Sequence, residues 1–240
     1  MPTQLSEKSL EDMIVEYLVS QHHYEQGVSG DYDPTYAIDE KRLRLFLETT
    51  QPDKVAASRI FSNDVDHRKF LERLRKEITT RGIVDVLRKG VKHLSYTFYL
   101  YCPYPTEQSV RRWAEYRKNK FCVIRQLFYS HDNNNSVDVV LFLNGLPLIT
   151  MELKNRLTCQ DAAHAVTQYR SDRDPHDLLF MPKRCAVHFA VDDETVEMCT
   201  KLCGKDSWFL PFNKGVNDGA GKPVNPNGLQ TAYLWEDIRA

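Results

Sequence analysis

The sequence lacks a long apolar run, a Cys-x-x-Cys pair, a Walker loop and any sizeable net charge. Without about 20 consecutive apolar residues, nothing reads as a membrane-spanning helix. The N-terminus, Met-Pro-Thr-Gln-Leu-Ser-Glu-Lys, lacks the apolar core of a secretory signal. The expected compartment is therefore the cytoplasm, with no membrane partner. Six cysteines (Cys102, Cys122, Cys159, Cys185, Cys199, Cys203) are scattered, and only Cys199 and Cys203 fall one helical turn apart. Zinc there would need ligands from elsewhere, so reduced, packed thiols are expected. Lys and Arg number 32 against 33 Asp and Glu, a net charge of −1. No global field advertises nucleic acid, so any DNA contact must come from local basic patches or from a partner. Gly215 to Lys222 imitates a phosphate loop, but its spacing is wrong and Pro223 stands in the Ser/Thr place. A nucleotide site there is rejected.

What is present is an ordinary globular composition, 42% hydrophobic and 27% charged over 240 residues. The length allows one large or two small domains. The organising stretch is Val137 to Asn155, two apolar runs joined at Asn144-Gly145. The first run carries one acid, Asp138, and the second ends in Glu152-Leu153-Lys154. Charges among Val, Leu, Ile and Phe are costly to bury, so they either pair or hold something charged. A two-residue turn would pair Asp138 with Met151 and set Asp138 and Glu152 on opposite faces. A three-residue turn, Asn144 to Leu146, pairs them on one face with Val140, Phe142, Leu148, Thr150 and Lys154. The other face is then Val137, Val139, Leu141, Leu143, Ile149, Met151 and Leu153. We expect the three-residue turn, because it segregates all the charges. Two facing carboxylates suit a hard divalent cation, and Lys154 beside them suits developing charge on phosphate. The plainer alternative is a Glu–Lys pair closing an ordinary hairpin, with Asp138 solvated; on two acids and a lysine alone it is the better reading.

Around this hairpin, Ser6 to Ser20 reads as an amphipathic helix with Leu10, Met13, Ile14, Tyr17 and Leu18 buried. Glu11 and Glu16 flank that stripe as solvated acids, Glu16 having the alternative of an outer metal ligand. Residues 26–36 read as a loop, 39–49 as a helix ended by Gln51-Pro52, and 66–87 as a helical region interrupted at Gly82. The basic run from Arg68 to Lys92 is read as a solvated face balanced by Glu72 and Glu77. His93 to Tyr101 and Phe121 to Tyr129 read as strands opening an antiparallel meander, with a helix between them at 108–119. Gln160 to Asp172 reads as a helix, delivering Gln168, Tyr169 and Arg170 towards the acidic face. The plainer reading of that trio is a surface helix end. Arg184 to Val191 is a strand, parallel to an earlier one; 194–202 is a helix, 208–212 a short apolar segment, and 214–227 a loop.

The hairpin matches the PD-(D/E)xK nuclease pattern, and its surroundings sharpen the match. Arg125-Gln126, Tyr129-Ser130, Phe142 to Pro147, Glu152 to Asn155, Gln168-Tyr169-Arg170, Asp172 to Pro175, Phe209 to Asn213 and Tyr233 to Glu236 together resemble the N-terminal region of type I restriction enzyme R subunits. The resemblance implies an α/β (α+β) fold, a restriction-endonuclease-like mixed central sheet flanked by helices. It implies one nuclease domain over 1–240: a mainly helical part at 1–92, the core at 93–213, and a loop at 214–240 leading towards an ATPase motor. The chain stops just as an apolar element begins, which suggests a piece of something longer.

Carried over, Asp138 and Glu152 become metal ligands with the Leu153 carbonyl a third, and Lys154 the water-orienting or electrostatic group. Mg²⁺, or Mn²⁺, is the implied cofactor, with ATP serving only the motor. The implied partners are double-stranded DNA and the modification and specificity subunits. Gln168 and Tyr169 become further catalytic candidates, although Ala165 stands where related nucleases carry the Gln of Gln-x-x-x-Tyr. Arg170 and Arg173 become DNA-backbone candidates. Two alternatives stay open: a self-sufficient repair or junction nuclease, and a catalytically silent DNA-binding or docking module of the same fold.

Overall fold

The computed structural model describes residues 7–106, 108–155, 159–212 and 229–238. The chain begins with helix α1 (Glu7–His22), strands β1 (Glu25–Gly27), β2 (Tyr32–Asp33) and β3 (Ile38–Asp39). Helices α2 (Glu40–Thr50), α3 (Pro52–Ser58), α4 (Asp64–Arg81) and α5 (Ile83–Lys89) follow, then strands β4 (Val91–His93) and β5 (Tyr96–Phe98). After α6 (Val110–Tyr116) come β6 (Phe121–Phe128), β7 (Ser136–Leu143), β8 (Leu146–Leu153) and α7 (Ala162–Ser171). The described chain closes with β9 (Val187–Val191), β10 (Val196–Cys199), β11 (Leu210–Pro211) and α8 (Tyr233–Glu236).

Short polar side chains start the helices by accepting backbone N–H groups that have no partner in the first turn. Asp39 accepts from Arg42 at 3.0 Å before α2, and Asn63 accepts from Asp66 at 2.9 Å before α4. Gly82 ends α4 at φ +88°, as the sequence predicts. Gln51-Pro52 closes α2, but Pro52 also opens α3, where its missing N–H costs nothing.

Among the described residues, seven strands form one mixed sheet in the order β1-β6-β7-β8-β9-β10-β11. The β1–β6 and β8–β9 pairs are parallel and the other neighbours antiparallel. Helix α7 is the crossover that makes the β8–β9 pair parallel. The fold is thus the expected mixed sheet flanked by helices. One face of the sheet packs Val123, Val139, Leu141, Met151 and Leu153 against Leu10, Ile14 and Leu18 of α1 and Trp235 of α8. The other packs Ile124, Val140 and Phe142 against Tyr169 of α7. A third core holds α2, α4, α5 and the β4–β5 hairpin together around Phe46, Phe70, Leu74 and Phe98, and reaches the central hairpin at Leu146.

Three expectations are corrected. The turn of the central hairpin has two residues, not three: Leu143 pairs with Leu146, and Asn144 and Gly145 sit at φ +51° and +82°. Asn and Gly both tolerate that geometry, whose twist matches the strands. The register nevertheless shifts by one further along, because β8 carries an extra residue, Leu148, between the Phe142–Pro147 and Leu141–Ile149 pairs. A bulge in place of a longer turn thus carries the pairing to Val139–Met151, with Asp138 and Glu152 the next residues beyond it. Next, the expected strand at 93–101 is a separate two-stranded hairpin, β4–β5, outside the main sheet. Finally, the expected helix at 194–202 is strand β10. Asp192 Oδ1 accepts the N–H groups of Glu194 and Thr195 at 2.7 and 2.6 Å, which reverses the chain and lays Val196 against Val191. The expected loop at 214–227 lies outside the described residues.

Candidate active site

The β7–β8 ladder stops at the Val139–Met151 pair, and the acids lie just beyond it. Side-chain alternation breaks here. Gln126 of β6 adopts φ +46°, and Leu127 joins the same core as Ile124; Val137 likewise shares a core with Val140. Val137, a member of the expected oily face, is thus found on the other side. A non-glycine residue in left-handed backbone costs energy and persists where its surroundings fix it. Here it turns the Gln126 amide towards Asp138.

Asp138 is half-buried and held from two sides. Its Oδ2 accepts the Leu153 backbone N–H at 2.7 Å, and its Oδ1 accepts from Gln126 Nε2 at 3.1 Å. The same Gln126 nitrogen donates to Glu11 Oε2 of α1 at 2.7 Å, and Gln126 Oε1 accepts from the Ser136 hydroxyl at 2.8 Å. Glu11 is also paired with Arg125, whose Nη1 lies 2.7 Å from Asp12.

Glu152 is completely buried, at 0% exposure. Arg173, just past the end of α7 and itself 5% exposed, donates Nε to Glu152 Oε1 at 2.8 Å and brings Nη2 to 2.8 Å from the same oxygen. Its Nη2 also reaches the Ser136 carbonyl at 2.7 Å, and its guanidinium lies 5.5 Å from the centre of the Tyr129 ring. Glu152 Oε2 is buried with no hydrogen-bond partner among the described residues. Burial pushes the Glu152 carboxyl up to about 8; the Asp138 charge adds to this, and Arg173 and Lys154 oppose it. Burial works against the Arg173 charge as well, but Glu152 overrides it and holds that pKa above its ordinary value.

The sequence-expected residues therefore divide. Asp138, Glu152 and the Leu153 backbone meet at one place, and the Lys154 charge bears on Glu152. Arg173, expected to contact the DNA backbone, is the buried partner of Glu152. Arg170 donates Nε and Nη2 to the Ser207 carbonyl at 3.1 and 2.9 Å and lies over the Phe209 ring, so it secures the segment before β11. Tyr169 is fully buried, its hydroxyl 2.8 Å from Thr150 Oγ1, which in turn lies 2.7 Å from His188 Nδ1. Gln168 is half-buried in α7. Glu16 is exposed, whereas Glu11, at 6% exposure, is the α1 acid that reaches the site network.

The signal for Glu11 was in the pattern. It falls inside the buried stripe Leu10, Ile14, Val15 and Leu18, and a carboxylate there needs a partner.

Among the described residues, no three His, Cys, Asp or Glu side chains gather about one point. A cation would rest on two carboxylates and a backbone carbonyl. The donor set fits a hard divalent ion, since carboxylate and carbonyl oxygens are what Mg²⁺ takes. The buried, unpartnered Oε2 of Glu152 is the atom that calls for one, because such an atom is otherwise costly.

A family model described as type I restriction enzyme R protein N terminus matches residues 4–207, which include every residue of this site. No curated protein matches the chain.

Proposed function

The chain belongs to the family of type I restriction enzyme R protein N termini, and from that premise we propose that it is a Mg²⁺-dependent endonuclease domain. Its substrate is unmodified foreign double-stranded DNA, and its reaction is phosphodiester hydrolysis, a type I site-specific deoxyribonuclease activity exerted in the cytoplasm. In the full-length protein the cut is coupled to ATP-driven translocation, and modification and specificity subunits read the sequence.

The observation that carries this reading is the juxtaposition of Asp138 with the bare oxygen of Glu152, under the charge of Lys154. Asp138, Glu152 Oε2 and the Leu153 carbonyl would hold Mg²⁺ or Mn²⁺, which supplies Lewis-acid stabilisation of charge on a phosphate oxygen. Lys154 orients the attacking water and steadies the negative charge that develops on phosphate. Gln126 and the Leu153 N–H orient Asp138, leaving each of its oxygens a free lone pair. Tyr169 supports the floor of the site through Thr150, two residues before Glu152.

The test uses the assembled restriction enzyme. Asp138→Asn, Glu152→Gln and Lys154→Ala should each reduce cleavage by about a hundredfold or more while DNA-dependent ATP hydrolysis continues. Retained cleavage would remove these residues from the chemistry. Loss of both activities would make their role structural.

A further inference from the structure

Glu152 and Arg173 form a buried ionic contact, and its geometry is one-sided. Nε donates to Oε1 at 2.8 Å and Nη2 lies 2.8 Å from that same oxygen, although a guanidinium can face both oxygens of a carboxylate in a fork. Oε2 takes no protein donor among the described residues. Arg173 is pinned in turn by the Ser136 carbonyl at 2.7 Å and by the Tyr129 ring at 5.5 Å. Ser136 also holds Gln126, which holds Asp138. One network therefore fixes both acids from behind.

We infer that Arg173 is a positioning residue, engaging Oε1 of Glu152 so that Oε2 alone is offered to the divalent cation. The inference rests on the metal-site reading above. With Oε1 engaged by the guanidinium, Glu152 would bind through one oxygen and would not close a four-membered chelate around the ion. This suits Mg²⁺, which demands near-octahedral geometry and retains several waters. It also keeps one buried positive charge beside two carboxylates, so the pair of acids does not repel itself apart before the ion arrives. The opposite role, a cation plug that competes with the metal, predicts tighter Mn²⁺ binding once Arg173 is replaced.

The experiment titrates the chain with Mn²⁺, read by the loss of free-ion paramagnetic resonance signal. Wild type is compared with Arg173→Lys, Arg173→Met and Asp138→Asn, each checked for folding by circular dichroism. Arg173→Lys keeps the charge that Glu152 needs but replaces a rigid planar donor pair with one ammonium. It should remain folded and bind Mn²⁺ about 10- to 100-fold more weakly, the loss usual for partners of metal ligands. Infrared difference spectra of the ¹³C-Glu-labelled chain, with and without Mn²⁺, should show a one-oxygen carboxylate signature in wild type. In Arg173→Lys that signature should move towards the two-oxygen form. Arg173→Met, if folded, should bind no better than Arg173→Lys.

Equal or tighter Mn²⁺ binding by Arg173→Lys, or an unchanged infrared signature, would overturn the positioning role while leaving the metal site standing. Absence of Mn²⁺ binding by wild type, or undiminished binding by Asp138→Asn, would instead bring down the metal-site reading and this inference with it.

Discussion

The Leu153 backbone N–H donates to the Asp138 carboxylate at 2.7 Å, in the stretch where the ladder between their two strands has already ended. A side chain thus takes over a hydrogen bond of the kind a strand carbonyl would otherwise accept. The exchange ties the first acid to the residue that follows the second. It also makes the support of Asp138 separable from its chemistry.

Gln126 supplies the other half of that support, donating to Asp138 Oδ1 at 3.1 Å. Gln126→Ala should weaken Mn²⁺ binding and cleavage by about tenfold. The melting temperature should change little, since the position is exposed. Titration with Mn²⁺ and a thermal melt on the same sample check both statements.

Gly145 is where the central hairpin meets the N-terminal helices. Its carbonyl accepts the Asp39 N–H at 2.8 Å, its φ is +82°, and an added Cβ would collide with the Asp39 carbonyl and the Leu43 N–H. Gly145→Ala should cost about 3 kcal/mol or more, through backbone strain and overpacking together. Chemical denaturation with an unchanged m-value would confirm it; a loss under 1 kcal/mol would refute it.

His188 is fully buried on β9, and burial lowers its pKa to about 3 from the ordinary 6.5. The folded state therefore binds fewer protons than the unfolded one between those values. Stability from this group is complete above pH 6.5 and is lost progressively as the pH falls towards 3. At pH 5 the loss should be roughly 2 kcal/mol. In His188→Asn, which has no titrating ring, that part of the acid dependence should vanish, as unfolding measured from pH 7.5 to 5 would show.

Part of the charge on the basic helices is paired with their own acids. Arg73 and Arg81 pair with Glu77, and Arg81 and Lys89 pair with Asp85. The chain alone should therefore bind duplex DNA more weakly than about 10 µM at physiological salt and cut it slowly or not at all. Fluorescence anisotropy with a short duplex measures this. Tight, strongly salt-dependent binding, or robust cleavage by the chain alone, would favour a self-sufficient nuclease.

Much of the centre was legible because alternation of apolar residues fixes strand faces, and Asp138 and Glu152 were the acids within an apolar ribbon. The bulge at Leu148 was not, because it depends on a neighbour: the Leu148 carbonyl accepts the Ala186 N–H at 2.8 Å, next to a strand about forty residues away. Arg173 was misread for a similar reason. Asp-Arg-Asp-Pro has the composition of a solvated turn, and only the path of α7 across the sheet brings its arginine under Glu152. Strand β10 fell to a side-chain-driven reversal at Asp192 that periodicity over nine residues does not contain. Glu11 shows the limit from the other direction. The helical stripe announced a buried acid, but nothing local named a glutamine 115 residues away as its partner.

The single supernumerary residue at Leu148 is taken up by the bulge. Excising it would only regularise the ladder, leaving Leu141 opposite Ile149, whereas losing one residue between Ile149 and Glu152 would rotate Glu152 into the oily layer beneath α1 and present Leu153 to a stranded guanidinium. Within this family of ribbons, a one-codon deletion there would be a far graver lesion than most substitutions of the acids' neighbours.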